Sequence, residues 1–241
     1  MGKDTDISAI KSIAISFLHL PLEVSDFGPA VLHHPFFNSA FIMQDGVPVD
    51  ILNNIDAYHK QICYVETAIG EESSVHGIWW MIQKAYRLLF FKHINAYLSQ
   101  DDYGYLLRDA WVASENPNGD PNVDIPLIVS WFRNADKRVL MSRSDYEIWQ
   151  ELPNRFIAYR GVAVGRVEKG LSWTRSIQTA YWFAHRFDGT DKGYILKTEV
   201  QKRKALAFFN NRGEDEVILC TRGLKYVVMT DDEIRELLCA V

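Results

Sequence analysis

The sequence predicts an α+β protein whose helices come first and whose strands come last, and two observations carry that prediction. Up to about residue 150, apolar side chains recur at helical spacing, which gives each segment one face to bury. After Pro153 the texture changes to short β-branched and aromatic runs separated by glycines and polar turns, the pattern of strands. The charge divides in a similar place: residues 155–225 hold 14 Lys or Arg against 7 Asp or Glu, a balance of +7, although the whole chain is −5. A basic module inside an acidic chain suits an anionic ligand such as a nucleotide. The expected organisation is therefore a helical N-terminal region over residues 1–150 and a β-rich module over residues 151–241.

With 241 residues, 48% hydrophobic and 24% charged, the chain can bury a substantial core and is not of disordered composition. Cys63, Cys220 and Cys239 are odd in number and far apart, which argues against a disulfide framework or zinc cluster and for a reducing compartment. The first residues are acidic where a secretory leader is basic, and Asp6 stands where a myristoylation motif needs Ser or Thr. The most apolar stretch, residues 78–91, contains Lys84 and Arg87 and is too short to span a bilayer. A cytoplasmic protein without membrane partners is expected. No H-x-x-x-H, C-x-x-C or H-E-x-x-H pattern occurs, so no metal site is expected.

Taken in order, Ile7, Ile10, Ile13, Ala14 and Phe17 predict a helix over 7–20, stopped by Pro21. Gln44-Asp45-Gly46-Val47-Pro48 reads as a turn, and a second helix is expected over 49–69, broken by Gly70. A long apolar helix follows over 75–98, then another over 102–113. The segment 114–121, Ser-Glu-Asn-Pro-Asn-Gly-Asp-Pro, is the most turn-rich in the chain, a linker or a long surface loop. Helical pattern resumes over 126–134 and 144–151, with Ser144 and Glu147 matching a capping box.

Beyond Pro153 the expected strands cover 156–159, 170–174, 193–200, 205–209, 217–219 and 224–229, with one helix over 176–187 and a short acidic helix from Thr230. Three features stand out in that module. Tyr159-Arg160-Gly161 ends the first strand, and Ser172-Trp173-Thr174 forms the second. The polar turn Asn210-Asn211-Arg212-Gly213 then delivers Glu214-Asp215-Glu216 to a later strand. On an extended backbone Ser172 and Thr174 share a face opposite Trp173, and Glu214 and Glu216 share a face opposite Asp215.

This order and spacing resembles the arginine, S-T-S and E-x-E motifs of the R-S-E class of ADP-ribosyltransferases, over roughly residues 155–229. The middle motif departs from the family in having Trp and Thr at its second and third positions. The resemblance implies an ADP-ribosyltransferase-like split β-sandwich and an enzyme that uses NAD as co-substrate without a metal. It would break the nicotinamide–ribose bond through an oxocarbenium-like state comparable to glycoside cleavage. By the same resemblance Glu216 stabilises the developing cation, and Glu214 faces the acceptor and positions or deprotonates its nucleophile. Arg160 and Gly161 would receive the pyrophosphate, and Ser172 and Thr174 the nicotinamide ribose and the catalytic glutamate.

Glutamate at the first position of E-x-E often goes, in that family, with an arginine acceptor on a protein, and glutamine there with other acceptors; another side chain or a nucleic acid base stays open as acceptor. Family members of this kind include phage enzymes that modify host proteins and toxins paired with an antitoxin. The helical region would then recognise the substrate, dock an inhibitory protein, or serve as scaffold. Two other readings fit the same residues, an NAD glycohydrolase with water as acceptor and an inert module that binds a nucleotide or a partner.

Overall fold

The computed structural model describes residues 4–187, 193–210 and 213–239. Asn211 and Arg212 of the expected polar turn lie outside the described residues. The chain divides into two units at Glu115/Asn116, not near residue 150 as expected. The helices between 116 and 151 belong with the sheet that follows them, for a reason visible in its edge strand, described below.

The first unit begins with α1 (Ile7–Leu18), capped by Asp6, whose carboxylate accepts the Ala9 N–H at 3.0 Å. Two short hairpins that the helical reading did not anticipate follow: β1 (Glu23–Ser25) with β2 (Gly28–His33), and β3 (Phe41–Gln44) with β4 (Val47–Asp50). Most of their side chains are exposed or half-buried, so no clean alternation betrays them in the sequence. The Asp45-Gly46 turn joins β3 to β4 with both residues at positive φ, 52° and 80°, the conformation a two-residue hairpin loop requires. β4 uses the residues that were expected to start the second helix, and α2 (Ile55–Glu71) accordingly begins at its Asn54 cap.

The expected helix over 75–98 is interrupted. It forms α3 (Val75–Met81) and α4 (Arg87–Ile94), with Ile82 and Gln83 extended between them. Tertiary bonds decide the break. The Gln83 N–H donates to Pro35 O at 2.7 Å, and buried Arg87 donates to Ile82 O at 3.3 Å and to Asp109 Oδ2 at 2.7 Å. Asp109 lies on α5 (Gln100–Ala113) and accepts the Trp79 indole N–H at 2.7 Å as well.

The second unit opens with α6 (Ile125–Asn134), α7 (Lys137–Leu140) and α8 (Arg143–Glu151). The cap of α8 is Ser142, whose hydroxyl accepts the Asp145 N–H at 3.1 Å. Ser144 is therefore inside the helix, and the expected capping box is displaced by two residues. The strands are β5 (Arg155–Val162), β6 (Ser172–Thr174), β7 (Tyr194–Gln201), β8 (Ala205–Phe209), β9 (Glu216–Leu219) and β10 (Val227–Val228). Two helices complete the unit, α9 (Ile177–His185) between β6 and β7, and α10 (Asp231–Cys239) after the last strand. The α+β class thus stands.

All six strands pair antiparallel in the order β10-β7-β5-β6-β9-β8. β5 and β7 match along eight residue pairs, whereas β5 and β6 meet at the single pair Tyr159–Thr174. The sheet is consequently two three-stranded halves, β10-β7-β5 and β6-β9-β8, hinged at one pair. α9 packs on β5 and β7 through Ile177, Ala180 and Ala184, with Ile195, Met229 and Ile234 completing that core. β8 ends the sheet order yet is buried at all five residues, because α6 and α8 lie against it. An edge strand so apolar needs a cover, which is why the helices before residue 151 cannot be separated from this unit. No helix among the described residues is long and apolar enough to cross a membrane.

Candidate active site

The three motif segments lie on adjacent strands, with β6 between β5 and β9. Thr174 pairs with Tyr159 on one side and with Glu216 on the other. Paired residues share a face, so Tyr159, Thr174 and Glu216 line one side of the hinge. Arg160, one residue on, starts toward the other side. Its guanidinium nevertheless lies within electrostatic reach of Glu216.

Arg160 is buried and fills the gap where β5 and β6 part. Nη1 donates to Ser172 O at 2.6 Å, Nη2 to Val167 O at 2.7 Å, and Nε to Glu168 O at 3.1 Å. Burial pushes its pKa down to about 10, and the charge of Glu216, then Tyr194, opposes that fall. Even so it is a cation at neutral pH. Three of the five donors of the guanidinium fork are thus spent on backbone carbonyls. The arginine expected to bind a phosphate is first a clasp across the two half-sheets. The loop it grips is anchored again through Glu168, whose carboxylate accepts from Tyr226 Oη at 2.5 Å and Tyr194 Oη at 2.7 Å. Those two bonds, Tyr226 first, hold Glu168 below the usual carboxylate range.

Gly161 has a different role from the expected one. A Cβ there would lie 2.1 Å from Ala180 O and 2.6 Å from Ala184 N, so the missing side chain admits the backbone of α9. Ser172 is half-buried, and its hydroxyl accepts from Asn118 Nδ2 at 3.1 Å; Asn118 Oδ1 also accepts the Leu171 N–H. Trp173 points into the core as expected, its indole N–H on Gly170 O at 3.1 Å.

Thr174 is buried, and its hydroxyl donates to Glu214 O at 2.7 Å while accepting the Ser176 N–H at 3.0 Å. It holds the two-carboxylate segment by its backbone. Asp215 has φ 45° and Gly213 φ 70°, so the chain is not extended through Asp215. Strand alternation therefore lapses there, and the expectation that Glu214 and Glu216 share a face loses its basis. Glu216 starts β9, Glu214 lies in the turn before it, and both are half-buried.

Two site residues escaped the sequence reading. Asn118 comes from the turn-rich segment that looked like a linker. Asp145 on α8 is 3% exposed; its Oδ1 accepts the Asn210 N–H at 3.2 Å, and Asn210 Oδ1 in turn accepts the Asp215 N–H at 3.1 Å. The Arg175 N–H adds a bond to Asp215 O at 3.4 Å. The positive-φ turn before Glu216 is thus fixed from α8 and from β6. Nothing in the sequence marked Asn118, while Ser142-Arg143-Ser144-Asp145 carried a signal, since S-x-x-D is a helix-start pattern that places Asp145 in the first turn.

Among the described residues no group of three or more His, Cys, Asp or Glu side chains could hold a metal ion. Comparison of the chain with protein-family models, with curated proteins and with solved structures finds no match.

Proposed function

We propose that the unit from Asn116 onward is a mono-ADP-ribosyltransferase that cleaves NAD at the nicotinamide–ribose bond and transfers ADP-ribose to a macromolecule, an arginine side chain in the first instance. The observation that carries this reading is the coincidence of order and adjacency. Three motifs widely separated in the chain come from neighbouring strands, and Thr174 binds the E-x-E segment directly. The sheet hinged at one residue pair also suits the split architecture that the motifs imply.

In this mechanism the nicotinamide leaves with the electron pair of its bond to the ribose, and Glu216 faces the oxocarbenium-like sugar. Its position at the start of β9, paired with Thr174, keeps that carboxylate fixed before charge develops, the condition under which electrostatic stabilisation is effective. Glu214, in the turn, takes the proton of the attacking nucleophile. Ser172 turns its hydroxyl toward the nicotinamide ribose, and the two remaining donors of Arg160 serve the pyrophosphate.

Incubation of the protein with labelled NAD and a cell extract is expected to label a macromolecule. Glu216→Ala is expected to lower labelling by about 10²–10³-fold with an unchanged melting curve. A folded Glu216→Ala protein that labels as well as the parent removes the assignment. Growth arrest on expression, relieved by the same substitution, would mark a toxin and justify a search for an inhibitory partner protein. The commitment of Arg160 to backbone carbonyls favours one second reading, a nucleotide- or partner-binding module in which the arginine is structural; it yields neither label nor free ADP-ribose.

A further inference from the structure

A cavity in the same unit lies at the end of β8 away from Glu216. Ala205 pairs with Leu219 and Phe209 with Glu216, so the strand separates the cavity from Glu216 by about 13 Å at roughly 3.3 Å per residue. Its volume is about 370 Å³, within the range of small-molecule sites. The wall comes from three places: Arg133 and Lys137 on α6 and α7, Trp149 on α8, and Lys202, Arg203, Ala205 and Leu206 where β7 passes into β8.

Four of these seven residues are cationic and none is acidic. Every hydrogen bond the four make to other groups among the described residues ends on a neutral acceptor. Arg133 donates to Cys220 Sγ at 3.2 Å, Lys137 to Phe132 O, Lys202 to Gln150 O at 2.5 Å, and Arg203 to Gln201 Oε1 at 2.8 Å. None of the four belongs to an ion pair among the described residues. Asp136, beside Lys137, does not line the cavity; its carboxylate caps α7 by accepting the Arg138 N–H at 2.9 Å.

Lys202 Nζ also sits 5.6 Å from the Trp149 ring centroid, with Tyr146 stacked on that ring at 5.8 Å. The Trp149 indole N–H is buried without an acceptor among the described residues, so the wall holds an excess of donors. Burial lowers Lys137 to about 8, which leaves it charged at neutral pH. Four like charges held round one concavity repel one another and focus a positive potential into it. An anion relieves both.

We propose that this cavity binds a phosphate-bearing anion of mononucleotide size or smaller, with Arg133 and Arg203 supplying planar donor forks and Lys137 and Lys202 point charges. Trp149 already has Tyr146 stacked on its ring and Lys202 Nζ over it, so recognition is assigned to the phosphates and not to a stacked base. This site stands whether or not the ADP-ribosyltransferase reading does.

Inorganic pyrophosphate is the probe, titrated into the full chain by calorimetry and followed by thermal shift, with sodium chloride matched for ionic strength. Saturable one-site binding and a melting-temperature rise beyond that in the matched salt are expected. Lys202→Ala/Arg203→Ala, and separately Arg133→Gln/Lys137→Gln, are each expected to weaken binding at least tenfold. The two variants attack the wall from different elements, so one that fails to fold leaves the other decisive. A pyrophosphate effect no larger than that of matched chloride, or parental affinity in either folded variant, overturns the proposal.

Discussion

Asp145 shows how much a single buried group can decide. A carboxylate at 3% exposure needs partners, and among the described residues Oδ1 accepts the Asn210 N–H at 3.2 Å while Oδ2 has no partner. From Asn210 the link continues to the Asp215 N–H, and Asp215 holds a left-handed conformation, φ 45°, that is uncommon for a residue with a side chain although Asp accepts it more readily than most. Asp145→Ala leaves a buried donor unsatisfied and is expected to cost about 2 kcal/mol, read from urea unfolding. It is also expected to speed hydrogen exchange of the Asp215 amide and to lower any NAD cleavage. Asp145→Asn, which keeps one acceptor oxygen, is expected to recover most of each loss. Full stability in the alanine variant would sever this link.

At the level of elements, the contact between α9 and β5 rests on an absence. The Cβ of an alanine at position 161 would lie 2.1 Å from the carbonyl oxygen of Ala180, a backbone atom that cannot step aside without moving α9. Gly161→Ala is therefore expected to destabilise the protein by about 3 kcal/mol, the upper part of the usual overpacking range, as a fall in the midpoint of denaturant unfolding. Near-parental stability would mean that α9 slides on the sheet at little cost. The α3–α4 break follows a related rule. Apolar periodicity runs through residues 75–98, yet the demands of Arg87, Asp109 and Gln83 outweigh the propensity to continue a helix.

At the level of the whole molecule, the division at Glu115/Asn116 changes which fragment is complete. A chain starting at residue 116 retains α6 and α8 over β8, and is expected to express as a folded species with one cooperative melt. A chain starting at residue 151, where the sequence placed the boundary, bares an edge strand whose five residues are all buried here and is expected to aggregate. Circular dichroism melts of the two fragments make the comparison. A well-folded 151–241 fragment would show that the helical cover is dispensable.

The sequence by itself determined what depends on neighbours in the chain. The Asp45-Gly46 turn, the inward Trp173 and the strands after Pro153 were legible because a few consecutive residues carry their chemistry, whereas the caps Asn54 and Ser99 emerged only with the helix starts. The order of Arg160, Ser172 and Glu216 was legible in the same way. Only the tertiary structure decided that β5, β6 and β9 lie side by side, that Arg160 spans their hinge, that Asn118 and Asp145 belong to the site, and that four cations share one cavity. Those depend on hydrogen bonds and charges between residues distant in sequence, and a buried donor or acceptor is satisfied by whichever partner the packing brings near, irrespective of its position in the chain.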